Sequence, residues 1–369
     1  MGLLAALPLI LFFDSPSAPV TVDDDASLRA ALRAAEPGDV IRIAPGTYAG
    51  GLWMERSGTA EAPIVIEAAD AREPPLIEGG AEGLHLSGCS HVTLRNLHFR
   101  GQRANGVNID DAGRRDGSVG RGIVLEGLVV RDVNPEGNHD GIKLSGLTGF
   151  RVSGCRVEGW GGSGVDLVGC HDGLIEASTL KNTDDRGSGI QLKGGSANVV
   201  VRRCDFIHAG HRALNLGGST GLDFFRPRDA TAEARDLVVE ECRFVGSMSP
   251  IAFVGSENVV VRRNVVLDPK RWVLRILQET TGERFVPCRK GRFEQNVVIF
   301  RAADVANHHV NVGPHTQPET FGFRGNVWYC RDDPARSRPQ LPAAEDDGTY
   351  GIDPGFTVDE AGLPVLRGR

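Results

Sequence analysis

Lys143, Asp166, Gln191 and Asn215 recur at one position of successive short repeats, and Asp110, Ser145, Val168 and Lys193 recur two residues further along. Ammonium groups, carboxylates and amides in that arrangement admit three chemistries. A lysine that has lost its proton can abstract one from a carbon beside a carboxylate, and Lys193 and Lys143 are the candidate bases if neighbouring cations depress their pKa. Asn108, Gln191, Asn215 and Arg212 can hold that carboxylate and stabilise the charge it gains. His139, His211 or Arg212 can protonate the leaving oxygen. A carboxylate pair would instead hydrolyse a glycosidic bond, and Asn138-His139-Asp140-Gly141, followed one repeat later by Asp166, offers an incomplete pair. Asp110, Asp140 and Asp166 are also oxygen ligands on adjacent repeats, the donor type calcium prefers. Asp166 works against a lysine base, because it stands beside Lys143 and diagonal to Lys193 and favours the charged ammonium. As plain surface ion pairs, these charges would contribute only about 0–1 kcal/mol each.

The elements that position these residues are short strands. From Gly106 to Gly255 a turn, a Gly and an apolar-polar-apolar triplet return about every 22 to 27 residues, apart from two longer intervals. A period too short for helices, with a turn cluster at each corner, predicts a solenoid with β-strand rungs. Strand residues two apart share a face, so Ile142/Leu144, Val165/Leu167, Ile190/Leu192 and Leu214/Leu216 point inward. Their polar neighbours then form stacked outward columns, about 4.8 Å per rung, a floor suited to an extended ligand.

Residues 23–36 carry acidic and Ser residues followed by helically spaced apolar ones, and Pro37-Gly38 stops the run. This predicts a short helix capping the open end of the coil. Strands are expected at Val40 to Ile43, Ile64 to Glu67, Leu84 to Leu86 and Val92 to Phe99, with regular rungs from about 90 to 330 and a C-terminal strap from about 331 to 369. Two excursions, 218–236 and 268–290, should wall the binding face. Trp160 and the pair Phe224-Phe225 could stack on sugar rings or simply pack. One domain, 19–369, follows. Residues 1–18 read as a signal peptide, with an apolar Gly2–Phe13 run too short to span a bilayer, so a secreted or periplasmic protein is expected, with no membrane span in the mature chain.

The chain has 369 residues and a net charge of -7, with no dominant basic face, which argues against nucleic acid as a partner. Its seven cysteines show no metal spacing. Cys155, Cys204 and Cys242 share a corner that later rungs fill with Asn264, Asn296 and Asn326, which predicts a buried ladder of free thiols and amides. A monomer is expected.

Pro37-Gly38-Asp39-Val40-Ile41, Ala44-Pro45-Gly46-Thr47-Tyr48, Pro63-Ile64-Val65-Ile66 and Val92-Thr93-Leu94-Arg95-Asn96-Leu97 resemble the opening of the chondroitinase-B and alginate-lyase-like family. The rung pattern resembles the wider pectate-lyase superfamily. The resemblance implies an all-β, right-handed parallel β-helix of three sheets, export, and β-elimination on an acidic polysaccharide such as alginate, pectate or a glycosaminoglycan. It implies a lysine base at a strand end, an arginine one rung later and calcium held by acidic residues just ahead. Ile190-Gln191-Leu192-Lys193-Gly194-Gly195 puts Lys193 at the base position. Leu216 stands at about the arginine's place, and Asp184-Asp185 lie further ahead than the pattern has them. A hydrolase, a C5 epimerase or a non-catalytic carbohydrate-binding protein could use the same scaffold.

Overall fold

A computed structural model describes residues 18–305 and 308–367; the apolar run Gly2–Phe13, read as a signal peptide, lies outside them. Three parallel sheets wind around one continuous apolar core. The fold is the expected right-handed parallel β-helix. Alternation sets the geometry: in Ile142–Ser145, Ile142 and Leu144 are fully buried while Lys143 and Ser145 face out. Each parallel step keeps register, so Asn108 pairs with Lys143, Lys143 with Asp166, Asp166 with Gln191, and Gln191 with Asn215. The sheet carrying this column is the floor.

The coil starts earlier than the sequence suggests. Val20–Val22 already pairs with Val40–Ile43, and the run Val92 to Phe99 is two strands, Val92–Arg95 and His98–Arg100, bent at Asn96 with positive φ. The helix Asp25–Ala34 has Asp24 as its cap, with the Asp24 carboxylate accepting from the Ser27 N–H at 2.7 Å. Leu28 and Leu32 are its buried residues, and they close the first rung.

The corner ladder forms as expected. The Cys242, Asn264 and Asn296 N–H groups each donate to the side-chain oxygen of the Asn one rung on, Asn264, Asn296 and Asn326, at 2.9 Å. A chain turning a corner loses its sheet partner there, and the buried amide satisfies it. All seven cysteines are free and buried, and burial pushes the thiols of Cys89, Cys155 and Cys170 up to about 12. The C-terminal strap ends in an antiparallel hairpin, Phe356–Val358 with Pro364–Leu366, tied to the coil by Arg243 and Asp359 at 2.8 Å. Among the described residues no helix is long and apolar enough to cross a membrane.

Candidate functional site

The floor is open in the middle of the coil and walled there by two loops. One runs from Asp111 to Arg121, and the other is the excursion after Gly217, which overhangs the floor as its position predicts. Between them lies a cleft of about 560 Å³, with Asn108, Lys143, Asp166 and Lys193 on the floor and Arg115, Phe224 and Arg226 on the walls.

A buried ion pair latches the walls together. Arg226 donates from Nε and Nη2 to the two oxygens of Asp111, at 2.6 and 2.8 Å, across 115 residues of sequence. Burial disfavours the Asp111 carboxylate, but the Arg226 hydrogen bonds hold its pKa below the ordinary value. Gly146 permits the latch: its φ of +71° suits glycine, and a Cβ there would sit 2.3 Å from Asp111 Oδ2.

Glu233 pins the second wall beside Lys193. Its buried carboxylate accepts from the N–H groups of Gly194 (2.8 Å) and Thr220 (2.9 Å), from the Thr220 hydroxyl (2.6 Å) and from the Thr280 hydroxyl. One side chain thus fixes the turn after Lys193 and both excursions.

On the floor, the Lys143 ammonium bridges two fully buried carboxylates, Asp140 at 2.8 Å and Asp166 at 2.9 Å. Burial alone would lower the Lys143 pKa; Asp166 and Asp140 raise it above the usual lysine value instead. Lys143 therefore stays charged, which corrects its candidacy as a base. Asp140 is pushed up by burial and by the Asp166 charge, against the pull of Lys143, and its Oδ1 accepts the Ser163 N–H at 2.7 Å. Lys193 Nζ lies 3.1 Å from Asp166 Oδ1, off the line of a good hydrogen bond, and lines the cleft with no other carboxylate partner among the described residues.

Several expected residues lie away from this centre. Asn215 is buried, and a Cβ on Gly218 would meet the Gln191 amide at 2.5 Å, so the start of the excursion covers this part of the floor and corrects the open position expected of both amides. Arg212 is tied to Glu279 and Asn215, and His211 lies beside it outside the cleft lining. Burial, then Arg212, Arg275 and Arg271, push the His211 pKa down, leaving a neutral ring. His139 caps the corner before Asp140, its carbonyl accepting the N–H groups of Gly161 and Gly162. Trp160 is fully buried and cannot stack on a sugar; Phe225 is buried, whereas Phe224 is exposed in the cleft wall.

The metal set does not assemble. Among the described residues no three His, Cys, Asp or Glu side chains are grouped to hold a metal ion. The space between Asp140 and Asp166 holds the Lys143 ammonium, and Asp110 is held at 2.7 Å by His85 and at 3.0 Å by Ser87. A calcium ion there would have to displace a bound cation, so the arrangement does not fit one.

Sequence reasoning missed Arg115, Asp111, Arg226, Glu233, Glu82, His85 and Trp53. The last two stand in the same outward column, Trp53 beside His85 and His85 beside Asn108, and continuing the apolar-polar-apolar pattern back to Leu84-His85-Leu86 and Leu52-Trp53-Met54 would have found them. Arg115 sits in a loop without periodicity. Among the described residues it is the cleft-lining cation whose side chain makes neither an ion pair nor a hydrogen bond, its backbone N–H alone donating to Asp111 Oδ2 at 3.2 Å; its Nε is buried and unsatisfied.

A larger groove, about 1120 Å³, lies between the other two sheets and the C-terminal hairpin. Its arginines have partners: Arg243 pairs with Asp205 and Asp359, and Arg262 and Arg263 with Glu240. It is a packing seam rather than the site.

A family model described as a right-handed β-helix region matches residues 82–226. Among solved structures, an alginate lyase from Paenibacillus sp. str. FPU-7 superposes with a TM-score of 0.54 at 16% identity, over 89% of this chain and 95% of that one. A GH136 lacto-N-biosidase from Eubacterium ramulus gives 0.61 at 15%, over 90% and 67%. Pectate lyase Pel9A gives 0.50 at 16%, over 89% and 82%. No curated protein matches the sequence. At these identities the likeness establishes a shared fold, the right-handed parallel β-helix.

Proposed function

We propose that this pectate-lyase-like β-helix is exported through its Gly2–Phe13 segment, binds an acidic polysaccharide along the floor and cleaves it by β-elimination, with Lys193 as the base. The observation that carries this reading is the charge of the cleft. A chain of net charge -7 gathers Arg115, Lys143, Lys193 and Arg226 there, and where Lys143 is closed by Asp140 and Asp166 and Arg226 by Asp111, the Arg115 side chain is left without an acidic partner. An unpaired guanidinium beside a buried floor is suited to a carboxylate, which it can meet with two parallel hydrogen bonds.

In this reading Arg115 pairs with the uronate carboxylate, and the permanently charged Lys143 adds to the field that stabilises the developing enolate. Lys193, once neutral, takes the proton from the carbon beside the carboxylate. The electron pair of that C–H bond forms the new carbon–carbon double bond, and the bond to the glycosidic oxygen breaks. Lys193 faces the same cleft and can return its proton to the departing oxygen. The solved lyases of similar fold, named for alginate and pectate, favour the reading.

Asp140 favours a second reading. Its pKa is pushed up while it shares the Lys143 ammonium with Asp166, and two carboxyl groups in unlike environments are the acid–base pair of a glycoside hydrolase. Products formed in heavy-oxygen water separate the two: elimination yields unsaturated ends without the label, hydrolysis yields labelled saturated ends. Labelled saturated products would overturn the lyase.

A further inference from the structure

The floor begins with an aromatic ring. Trp53 occupies the first strand of the floor sheet, Leu52–Met54, and stays 49% exposed although Leu52 and Met54 on either side are buried. Among the described residues it is the one indole or phenyl ring in an outward column that otherwise runs His85, Asn108, Lys143, Asp166, Gln191, Asn215, Ala252, Arg275 and Asn311.

The ring is positioned rather than loose. Its centroid lies 4.2 Å from that of His85, and His85 is gripped on both nitrogens, by Glu82 at 2.8 Å and Asp110 at 2.7 Å. Asn105 and Asn108 hold Glu82 in turn, at 3.0 and 2.9 Å. Two carboxylates around one imidazolium leave an excess negative charge between Trp53 and Lys143, which lies three strand steps from Trp53, roughly 14 Å at about 4.8 Å per step; Asp110, one of the two, also lines the near edge of the cleft.

We infer that Trp53 is the platform of a separate saccharide subsite for a pyranose without a carboxylate, and that the polysaccharide of the cleft therefore mixes uronate with neutral sugars. An indole presents a flat apolar face that a pyranose ring can cover at little entropic cost. The negative rung beneath it repels a uronate, whereas Arg115, Lys143 and Lys193 attract one, so the two ends of a bound chain are sorted by charge. This inference rests on the acidic-polysaccharide reading and specifies its substrate.

Binding to the Lys193→Ala variant, measured by calorimetry with two ladders of increasing length, tests it. Unsulfated chondroitin oligosaccharides alternate uronate with a neutral hexosamine, and oligogalacturonates carry uronate throughout. Chondroitin fragments long enough to reach Trp53 should bind about tenfold or more tighter than short ones, and Trp53→Ala should erase that gain while leaving short fragments unchanged. A length gain insensitive to Trp53, or a larger Trp53-dependent gain with oligogalacturonate, would overturn the subsite while leaving the acidic-polysaccharide reading standing. Failure of both ladders to bind the folded protein would overturn both.

Discussion

The floor sheet and the fifteen-stranded sheet follow the same coil, yet their outward columns differ in kind. On the larger sheet the column reads Arg42, Glu67, Arg95, Glu126, Ser153, Glu176, Arg202, Glu240, Arg262, Glu294 and Arg324, in register from rung to rung. Charges alternate, and most are closed into ion pairs: Glu67 takes Arg42 and Arg95, Glu176 takes Arg151, Arg202 and Arg203, and Glu240 takes Arg262 and Arg263. The floor column instead runs through an indole, an imidazolium, amides, an alanine, one ammonium, one guanidinium and one buried carboxylate. A sheet that only has to stay solvated pairs its charges across the rungs. A sheet that has to receive a ligand walls its middle and, among the described residues, leaves the side chain of a cation such as Arg115 without a partner.

Replacing the residue assigned to the chemistry should sharpen that contrast most. Lys193→Ala should lower the initial rate on a cleaved substrate by about 10²–10⁴-fold, the range for a general base, while the melting transition survives. Next comes the wall latch. Asp111→Ala strands the Arg226 guanidinium and should reduce the unfolding free energy by about 3 kcal/mol, toward the low end for a broken buried pair, read as a lower urea midpoint together with lost activity. Arg115→Gln should raise KM for a uronate polymer about tenfold, or about 1.4 kcal/mol, with kcat and melting temperature little changed; an unchanged KM would remove Arg115 from substrate binding. On the ladder sheet, Arg42→Ala should change stability by less than about 1 kcal/mol and leave KM alone, and a kinetic effect there would break the comparison.

His85 gives the comparison a pH dependence. Burial lowers its pKa, but Asp110 and Glu82 outweigh that and raise it to about 9 from the ordinary 6.5. A raised folded-state pKa stabilises the fold fully below about 6.5, and that contribution is lost as pH rises through about 9. The gap in urea midpoint between the native chain and His85→Gln should therefore narrow across that window. A gap that widens toward alkaline pH would contradict the assigned charge.

Much of the coil was legible because strand alternation and a fixed rung length are both local. The inward pairs, the Cys and Asn corner ladder, the capping helix and the overhanging excursion could all be read from spacing. The site was legible only where it lay on the repeat: Lys143, Asp166 and Lys193 were found because they occupy rung positions. Arg115, Asp111, Arg226 and Glu233 sit in loops or make contacts far apart in sequence, and neither kind leaves a period. The burial of Asn215 and Trp160 was missed for a related reason, because alternation predicts which way a side chain points but not what a neighbouring loop or corner lays over it.

The central claim is that the floor cleft eliminates rather than merely holds its polysaccharide. Ultraviolet absorbance of a conjugated unsaturated uronate, followed with alginate, polygalacturonate and chondroitin, tests it most directly. The account predicts a rising signal on at least one polymer that vanishes in Lys193→Ala and persists in Arg42→Ala. A signal that survives Lys193→Ala, or none on any polymer that the folded protein binds, would contradict it.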